Sequence, residues 1–232
     1  ILTKLKKIFL LMRKNKPILI VAGEPFGIFS EILFKIFKKY KLKKPLVVIG
    51  SYKLFKDQMN FLKYKIPLNN ISQNFNIKDL NLKKINMINI DLDFTKPFQK
   101  ITDDTNYYNE KSFQLALKLL KKNIFAGLIN GPISKKNFLK NKFFGITEYL
   151  AKKTNTQNFA MLIYNKNLSV SPISTHIPIK KISNFITKSK IERQVKLIKK
   201  FYISNFKKNP KIAITGLNPH CESNFEDNEE QK

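Results

Sequence analysis

The stretch Ile18–Ile28, ILIVAGEPFGI, decides the fold that the sequence predicts. Ile18–Ala22 is an unbroken apolar run of strand length, which is typical of a strand buried on both faces. A turn, Gly23–Gly27, follows it, and a helix is predicted from about Ile28 to Tyr40. We therefore expect a strand, a loop and a helix in succession, the repeating unit of α/β proteins.

The loop Gly23–Gly27 contains two glycines, which would let backbone amides approach a ligand. Its glycine spacing fits neither a P-loop nor the dinucleotide fingerprint GxGxxG. The loop alone therefore indicates no particular ligand.

The alternation of strands and helices continues to Lys135. A turn at Gly131–Lys135 ends the last predicted strand of this part and presents the Lys135 side chain. The elements predicted before that turn are a strand at Pro45–Gly50, a helix capped by Ser51 and reaching about Leu62, a strand at Ile85–Ile90, a helix at Asn109–Lys122 with Phe113, Leu117 and Leu120 on one stripe, and a strand at Phe125–Asn130.

The second part of the chain is predicted to carry its two histidines at strand ends. His176 follows the predicted strand Leu168–Ser174, and His220 ends the stretch Lys211–His220, KIAITGLNPH. Ligands of open α/β sheets bind at the carboxyl ends of strands, so we expect both imidazoles to face a common cleft. From the residues alone, two hydrogen-bonded loop histidines remain an alternative. The other elements predicted here are a helix ending near Lys153 that Thr147 would cap, a strand at Asn158–Ile163 and a helix-rich stretch at Ile179–Lys207.

The composition is strongly basic, with 44 Lys and Arg against 16 Asp and Glu and a formal charge of +28. Arginine occurs only at Arg13 and Arg193, although its planar fork is the side chain that best binds phosphates and bases. The excess lies in Lys, and the abundant Asn, Ile and Phe share its AT-rich codons. We interpret the charge as a surface of solvated lysines and expect no specific nucleic-acid partner.

Residues 1–16 are predicted to form a basic amphipathic helix, and residues 17–232 an α/β region. A membrane-surface role of that helix is an alternative to a helix packed on the domain with its lysines in water. With a single cysteine, Cys221, and no long uncharged apolar run, we expect a cytoplasmic protein without a membrane partner. The polar end of the chain suggests a fragment.

Five motifs, in this order, resemble the 4-hydroxythreonine-4-phosphate dehydrogenase family of vitamin B6 biosynthesis. They span most of the chain. They are Gly23-Glu24-Pro25-x-Gly27-Ile28, Asn130-Gly131-Pro132-x-x-Lys135, Gly145-x-Thr147-Glu148, Thr175-His176-x-Pro178 and Gly216-Leu217-Asn218-Pro219-His220.

The resemblance implies a fold similar to the isocitrate and isopropylmalate dehydrogenases, with two α/β lobes around a cleft, here without the last third of the family fold. It implies NAD-dependent oxidation of a phosphorylated amino acid, 4-phosphooxy-L-threonine, followed by decarboxylation, in a homodimer. His176 and His220 would hold a divalent metal such as zinc, cobalt or magnesium, Thr147 would contact substrate, and Lys135 would be catalytic. The alternative reading of Thr147 is a helix cap, and that of Lys135 a solvated surface lysine.

Two departures from the family pattern bear on activity. Ile146 stands where the family has a substrate-binding histidine. The family's third metal histidine and its phosphate-binding residues have no counterpart in this sequence, and Cys221 beside His220 is a poor substitute because adjacent side chains seldom reach one ion. The sequence thus leaves three hypotheses: part of a dehydrogenase, a non-catalytic remnant, or a basic protein that binds nucleic acid.

Overall fold

The computed structural model describes residues 16–139, 142–143, 145–175 and 177–217. The chain divides into two compact units, Ile1–Lys140 and Asn141–Lys232. The predicted N-terminal helix, residues 1–16, lies almost wholly outside the described residues, which begin at Lys16.

The first unit contains a five-stranded, wholly parallel sheet. Its strands follow one another across the sheet in the order β3-β4-β2-β1-β5. Their bounds are β1 Ile18–Val21, β2 Leu46–Gly50, β3 Leu68–Asn70, β4 Ile85–Asn89 and β5 Gly127–Asn130. The predicted strands within Ile18–Ala22, Pro45–Gly50, Ile85–Ile90 and Phe125–Asn130 are confirmed, whereas the short edge strand β3 was not predicted.

Three helices connect the strands: α1 Phe29–Lys39, α2 Tyr52–Phe61 and α3 Asp103–Lys121. The predicted cap of α2 is confirmed, because Ser51 Oγ accepts a hydrogen bond of 3.3 Å from the Leu54 amide. α3 carries Asp103 and Asp104 in its first turn and Lys118 and Lys121 in its last. These charges suit the two ends of the helix dipole.

The prediction for α3 was partly wrong. The helix begins at Asp103, six residues before the predicted Asn109, because the polar first turn lacks the apolar repeat used to find helices. Leu117 and Leu120 are only half-buried, and the buried stripe is instead Phe113, Leu115, Ala116 and Leu119.

The core lies on both faces of the sheet. Alternate residues along a strand point to opposite faces, and in β1 Leu19, Ile20 and Val21 are all buried. One face packs against α1 and α2, where Phe34 and Phe55 make an edge-to-face contact at 6.0 Å. α3 contacts β1, β2 and β5. Two covered faces explain why the strands read as continuous apolar runs.

The described part of the second unit is mainly helical. Its helices are α4 Ile146–Lys153, α5 Ile182–Phe185, which follows a 3-10 turn at Ile179–Lys181, and α6 Lys188–Phe206. The prediction of a helix-rich stretch at Ile179–Lys207 is confirmed. α6 begins after Thr187, whose hydroxyl accepts a 3.4 Å hydrogen bond from the Lys190 amide.

The strands predicted in the second unit were wrong for the described residues. Residues 158–174 contain only an isolated antiparallel bridge between Ile163 and Val170, and residues 211–217 form no strand. A strand needs a partner for its backbone hydrogen bonds, and neither segment has one beyond that bridge within the described residues. Ile214, for example, is 60% exposed although its sequence context is that of a buried strand.

None of the described helices combines the length and the apolar character needed to cross a membrane.

Candidate active site

The carboxyl edge of the sheet in the first unit is the candidate site there. β1 lies between β2 and β5, so the chain turns to one side of β1 after the first strand and returns on its other side. The loop after β1, Ala22–Ile28, and the loop after β5, Gly131–Ser134, therefore leave the same edge from neighbouring strands. Such a switch in strand order is where open α/β sheets bind ligands.

The two loops are hydrogen-bonded to each other. The Glu24 amide donates to the Pro132 carbonyl at 2.8 Å, and the Gly131 amide donates to the Val21 carbonyl at 2.8 Å. A Cβ at Gly23, which has φ +77°, would overlap the Pro132 carbonyl oxygen, and one at Gly131 would overlap the Ala22 carbonyl oxygen. Gly23 and Gly131 therefore allow the two loops to pack closely against each other.

A group of buried polar side chains lies behind these loops. Glu24 is 8% exposed and Asn109 0% exposed, and their side-chain oxygen and nitrogen atoms make no hydrogen bond with any described residue. Burial raises the pKa of the Glu24 carboxyl group, while the nearby Asn109 amide and Ser134 backbone lower it in part, although neither contact reaches hydrogen-bond geometry. Burial also raises the pKa of Tyr108, whose hydroxyl accepts a 3.0 Å hydrogen bond from the Ser51 amide.

Lys135 is exposed, as the first residue of a π-helical turn, Lys135–Leu139. The prediction that the turn after β5 presents its lysine is thus confirmed, whereas its catalytic role stays a prediction. A polar cleft of about 380 Å³ lies beside the turn. It is lined by Ile101, Thr102, Asp103, Asn106, Lys136 and Asn137.

In the second unit, Thr147 is half-buried as the second residue of α4. The alternative that Thr147 caps this helix is wrong, since the cap position belongs to Gly145 and no side chain bonds there. The neighbouring Glu148 accepts a 3.2 Å hydrogen bond from the Thr175 hydroxyl. The residue before His176 is therefore bonded to the first turn of the helix that carries Thr147.

His176 and His220 both lie outside the described residues, so the predicted meeting of their imidazoles stays a prediction. The described residues contain no group of three or more His, Cys, Asp or Glu side chains that could hold a metal ion. A metal held by three or more such side chains would need at least one donor outside the described part. Two neutral imidazoles are chemically suited to zinc or cobalt.

Sequence reasoning missed Glu24 and Asn109 as a buried pair. The sequence places Glu24 in the turn after the first strand and in the first family motif, and Asn109 at the start of a predicted helix. No local pattern joins the two residues, because their proximity requires the segment after β1 and the helix α3 to meet in space.

Known proteins that resemble the chain agree on its family. The model of the pyridoxal phosphate biosynthetic protein PdxA matches residues 41–232. The 4-hydroxythreonine-4-phosphate dehydrogenase of Sulfurihydrogenibium is 34% identical over 91% of this chain and 66% of its own length, and that of Aquifex aeolicus 31% identical over 89% and 64%. The chain thus spans just under two thirds of the length of these relatives.

A solved structure of a 4-hydroxythreonine-4-phosphate dehydrogenase from Klebsiella pneumoniae has the same fold. Its TM-score is 0.75 at 23% identity, and the match covers 89% of this chain and 65% of that one. The parallel α/β architecture therefore agrees with the sequence match, which extends over most of the chain. This chain belongs to the family of the pyridoxal phosphate biosynthetic protein PdxA.

Proposed function

We propose that the chain carries part of the active site of an NAD-dependent dehydrogenase that oxidises 4-phosphooxy-L-threonine, with loss of carbon dioxide from the keto acid, in vitamin B6 biosynthesis. In this proposal the protein works in the cytoplasm as a homodimer. The observation that supports it most is the match to relatives named for this dehydrogenase across about nine tenths of the chain. A non-catalytic remnant remains the alternative.

The proposed roles follow from side-chain chemistry. His176 and His220 would hold a divalent ion, zinc, cobalt or magnesium, which when bound supplies Lewis acidity toward the substrate hydroxyl. Lys135 carries its exposed ammonium at the carboxyl edge of the sheet and would attract an anionic group of the substrate. Thr147 would donate or accept a hydrogen bond at the substrate. Ile146, half-buried at the start of α4, offers no polar group where the family has histidine.

Metal binding tests the proposal without requiring turnover. Titration of the purified chain with Co²⁺, followed by visible absorption and calorimetry, should show one site. His176→Ala and His220→Ala should each weaken binding at least about tenfold, because each removes one of two protein donors. Lys166→Ala, an exposed loop variant of the same unit, is the control and should bind as the unchanged chain does. Equal affinity in all four proteins would contradict the assignment.

Turnover separates the dehydrogenase from the remnant. We expect the 232-residue chain alone to oxidise 4-phosphooxy-L-threonine negligibly, because two donors hold a metal weakly and remote substrate contacts are needed to position the reacting carbon. Addition of the remaining third of a relative should raise the rate of NADH formation. A rate near that of a complete family member without any addition would refute this expectation. No gain from the added segment would favour the remnant.

A further inference from the structure

Glu24 is a carboxyl group that is buried without a compensating charge from the residues the structure describes. Its side chain extends behind the two loops, and both of its oxygens are inaccessible to solvent and unbonded to any described residue. No cation in the described part of the chain lowers its pKa. An ionised carboxylate in such a place is costly, and burial without a partner is normally avoided by neutralising the group.

Asn109 faces this carboxyl group and is equally unpartnered. Its amide nitrogen and oxygen are buried on α3, and neither bonds to any described residue. A neutral carboxylic acid and a primary amide complement each other, since the acid O–H can donate to Oδ1 while Nδ2–H donates to the acid carbonyl. A carboxylate cannot do this, because it has no proton and would leave Asn109 Oδ1 without a donor.

We propose that Glu24 is held as the neutral acid, paired reciprocally with the Asn109 amide, and that this pair positions the loop Gly131–Lys135 at the carboxyl edge of the sheet. The Asn109 side chain already acts on the Glu24 carboxyl group in the observed arrangement. The pair would satisfy all four side-chain atoms that are now unbonded.

The connection to the loop runs through both ends of Glu24. Its backbone amide donates to the Pro132 carbonyl at 2.8 Å, and its carboxyl group lies beside the Ser134 backbone. Lys135 is the next residue. Ionisation of Glu24 would draw water into the buried group and loosen the segment that presents this lysine. The effect of this loosening on catalysis rests on the proposed function, whereas the pairing of Glu24 with Asn109 does not.

The pH dependence has a defined sign. Burial raises the folded-state pKa of Glu24, so its stabilising contribution is fully present below the unfolded pKa and is lost as pH rises through the folded pKa. Among the described residues, the titratable group that acts with Glu24 is Tyr108 on α3, which stays protonated over this range because burial raises its pKa too. The Asn109 side chain and the Ser134 backbone, the other groups that act on it, do not titrate.

The decisive variant is Glu24→Gln, which keeps the shape and the reciprocal hydrogen bonds but cannot ionise. We expect the Tm of the unchanged chain to fall by a few degrees relative to Glu24→Gln between pH 5 and pH 8. Over the same range, amide exchange in peptides covering residues 131–139 should speed up in the unchanged chain relative to Glu24→Gln. Asp93→Asn removes an exposed carboxylate and is the matched control, whose Tm profile should run parallel to that of the unchanged chain.

Two further results keep the test decisive. Asn109→Leu removes the partner amide and should lower the Tm at every pH. When both proteins carry Asn109→Leu, the difference in amide exchange of residues 131–139 between the unchanged Glu24 and Glu24→Gln should disappear. At pH values above the usual glutamate pKa of about 4.3, the infrared spectrum of the unchanged chain should still show the band of a protonated carboxyl group. The spectrum of Glu24→Gln should lack this band. Parallel Tm profiles of Glu24→Gln and the unchanged chain, failure of Glu24→Gln to fold, or absence of that band would overturn the proposal. None of these outcomes bears on Co²⁺ binding by the histidines.

Discussion

At the carboxyl edge of the sheet, close backbone contact restricts which residue type a single position can hold. Gly131 and Gly23 lie where the loops after β5 and β1 meet, and neither has space for a Cβ atom. At the same edge, the hydroxyl of Tyr108 accepts a hydrogen bond from the Ser51 amide, just before α2. The stability of variants at these positions can therefore be compared with that of variants at nearby residues that lack such contacts.

Gly131→Ala should lower the free energy of unfolding by about 1–3 kcal/mol or more, the usual cost of forcing extra volume into a packed site. Its Cβ would overlap the Ala22 carbonyl oxygen and press on the Phe29 ring. Gly127→Ala in β5 is the control, because a Cβ there meets nothing within 4 Å. Urea unfolding followed by circular dichroism gives both values. Equal stability of the two variants would show that the loops separate easily.

Tyr108→Phe should cost about 1–3 kcal/mol, since it leaves the buried Ser51 amide without an acceptor. Tyr107→Phe makes the same chemical change one residue earlier. Tyr107 is 63% exposed, and its ring contact with Lys111 survives in Phe, so this control should be nearly neutral. Thermal unfolding measured on the two proteins side by side checks the difference. Matching Tm values would mean that water replaces the lost hydroxyl.

Among the elements, the edge strand β3 pairs with β4 through its backbone and is also bonded to a buried side chain of that strand. Asn86 in β4 is 0% exposed. Its amide nitrogen donates to the carbonyls of Leu46 and Asn81 at 2.9 Å, and its oxygen accepts from the Asn69 side chain at 2.9 Å and the Asn81 amide at 2.8 Å. It therefore joins β2, β3 and the turn before β4. This explains why a three-residue strand with little apolar character is held in the sheet.

Asn86→Leu should destabilise the chain by about 2–4 kcal/mol, because it removes four hydrogen bonds of a buried side chain, each worth about 0.5–1.5 kcal/mol. The loss should be local first, with faster amide exchange in residues 68–70 than in β1. Asn60→Leu, at an exposed position of α2, serves as the control and should change stability little. Uniform exchange across the sheet in Asn86→Leu would contradict a local role for this residue.

At the scale of the whole molecule, apolar surface and positive charge oppose each other. The second unit exposes large apolar side chains along residues 159–170 and on α6. Tyr164 of the first segment forms an aromatic cluster with Tyr202 and Phe206 of α6. Exposed patches of this kind promote association. The charge of +28 opposes it, but at physiological salt the repulsion is screened within about 8 Å.

We therefore expect the isolated chain to self-associate more as salt rises from about 0.02 M to 0.15 M, over which the Debye length falls below about 10 Å. Sedimentation velocity measures this directly. Leu168→Lys, at a position that is 76% exposed, should reduce association, whereas Leu82→Lys in the first unit should not. The remaining third of a relative, supplied in trans, should also reduce it. A monodisperse monomer at both salt concentrations, with one cooperative melt, would contradict the expectation.

The sequence by itself determined the parallel α/β architecture of the first unit. Apolar runs of strand length and helical repeats are local signals, and they placed β1, β2, β4 and β5, together with α1, α2 and the helical stretch of α6, within a few residues. The ordered motifs indicated the family and located Lys135 in the turn after β5. The roles proposed for Lys135, Thr147, His176 and His220 come from that resemblance and stay predictions.

Only the tertiary structure decided which apolar runs become strands and which polar groups meet. Residues 211–217 have the pattern of a strand but no neighbouring strand within the described residues, and β3 has little of the pattern but pairs with β4. Leu117 and Leu120 belong to the apolar repeat, yet the packing of α3 against the sheet buries its neighbouring stripe instead. Glu24 and Asn109 are far apart in the sequence, and their burial together follows from α3 crossing β1. Backbone pairing and burial are set by non-local neighbours, which no local pattern of residues specifies.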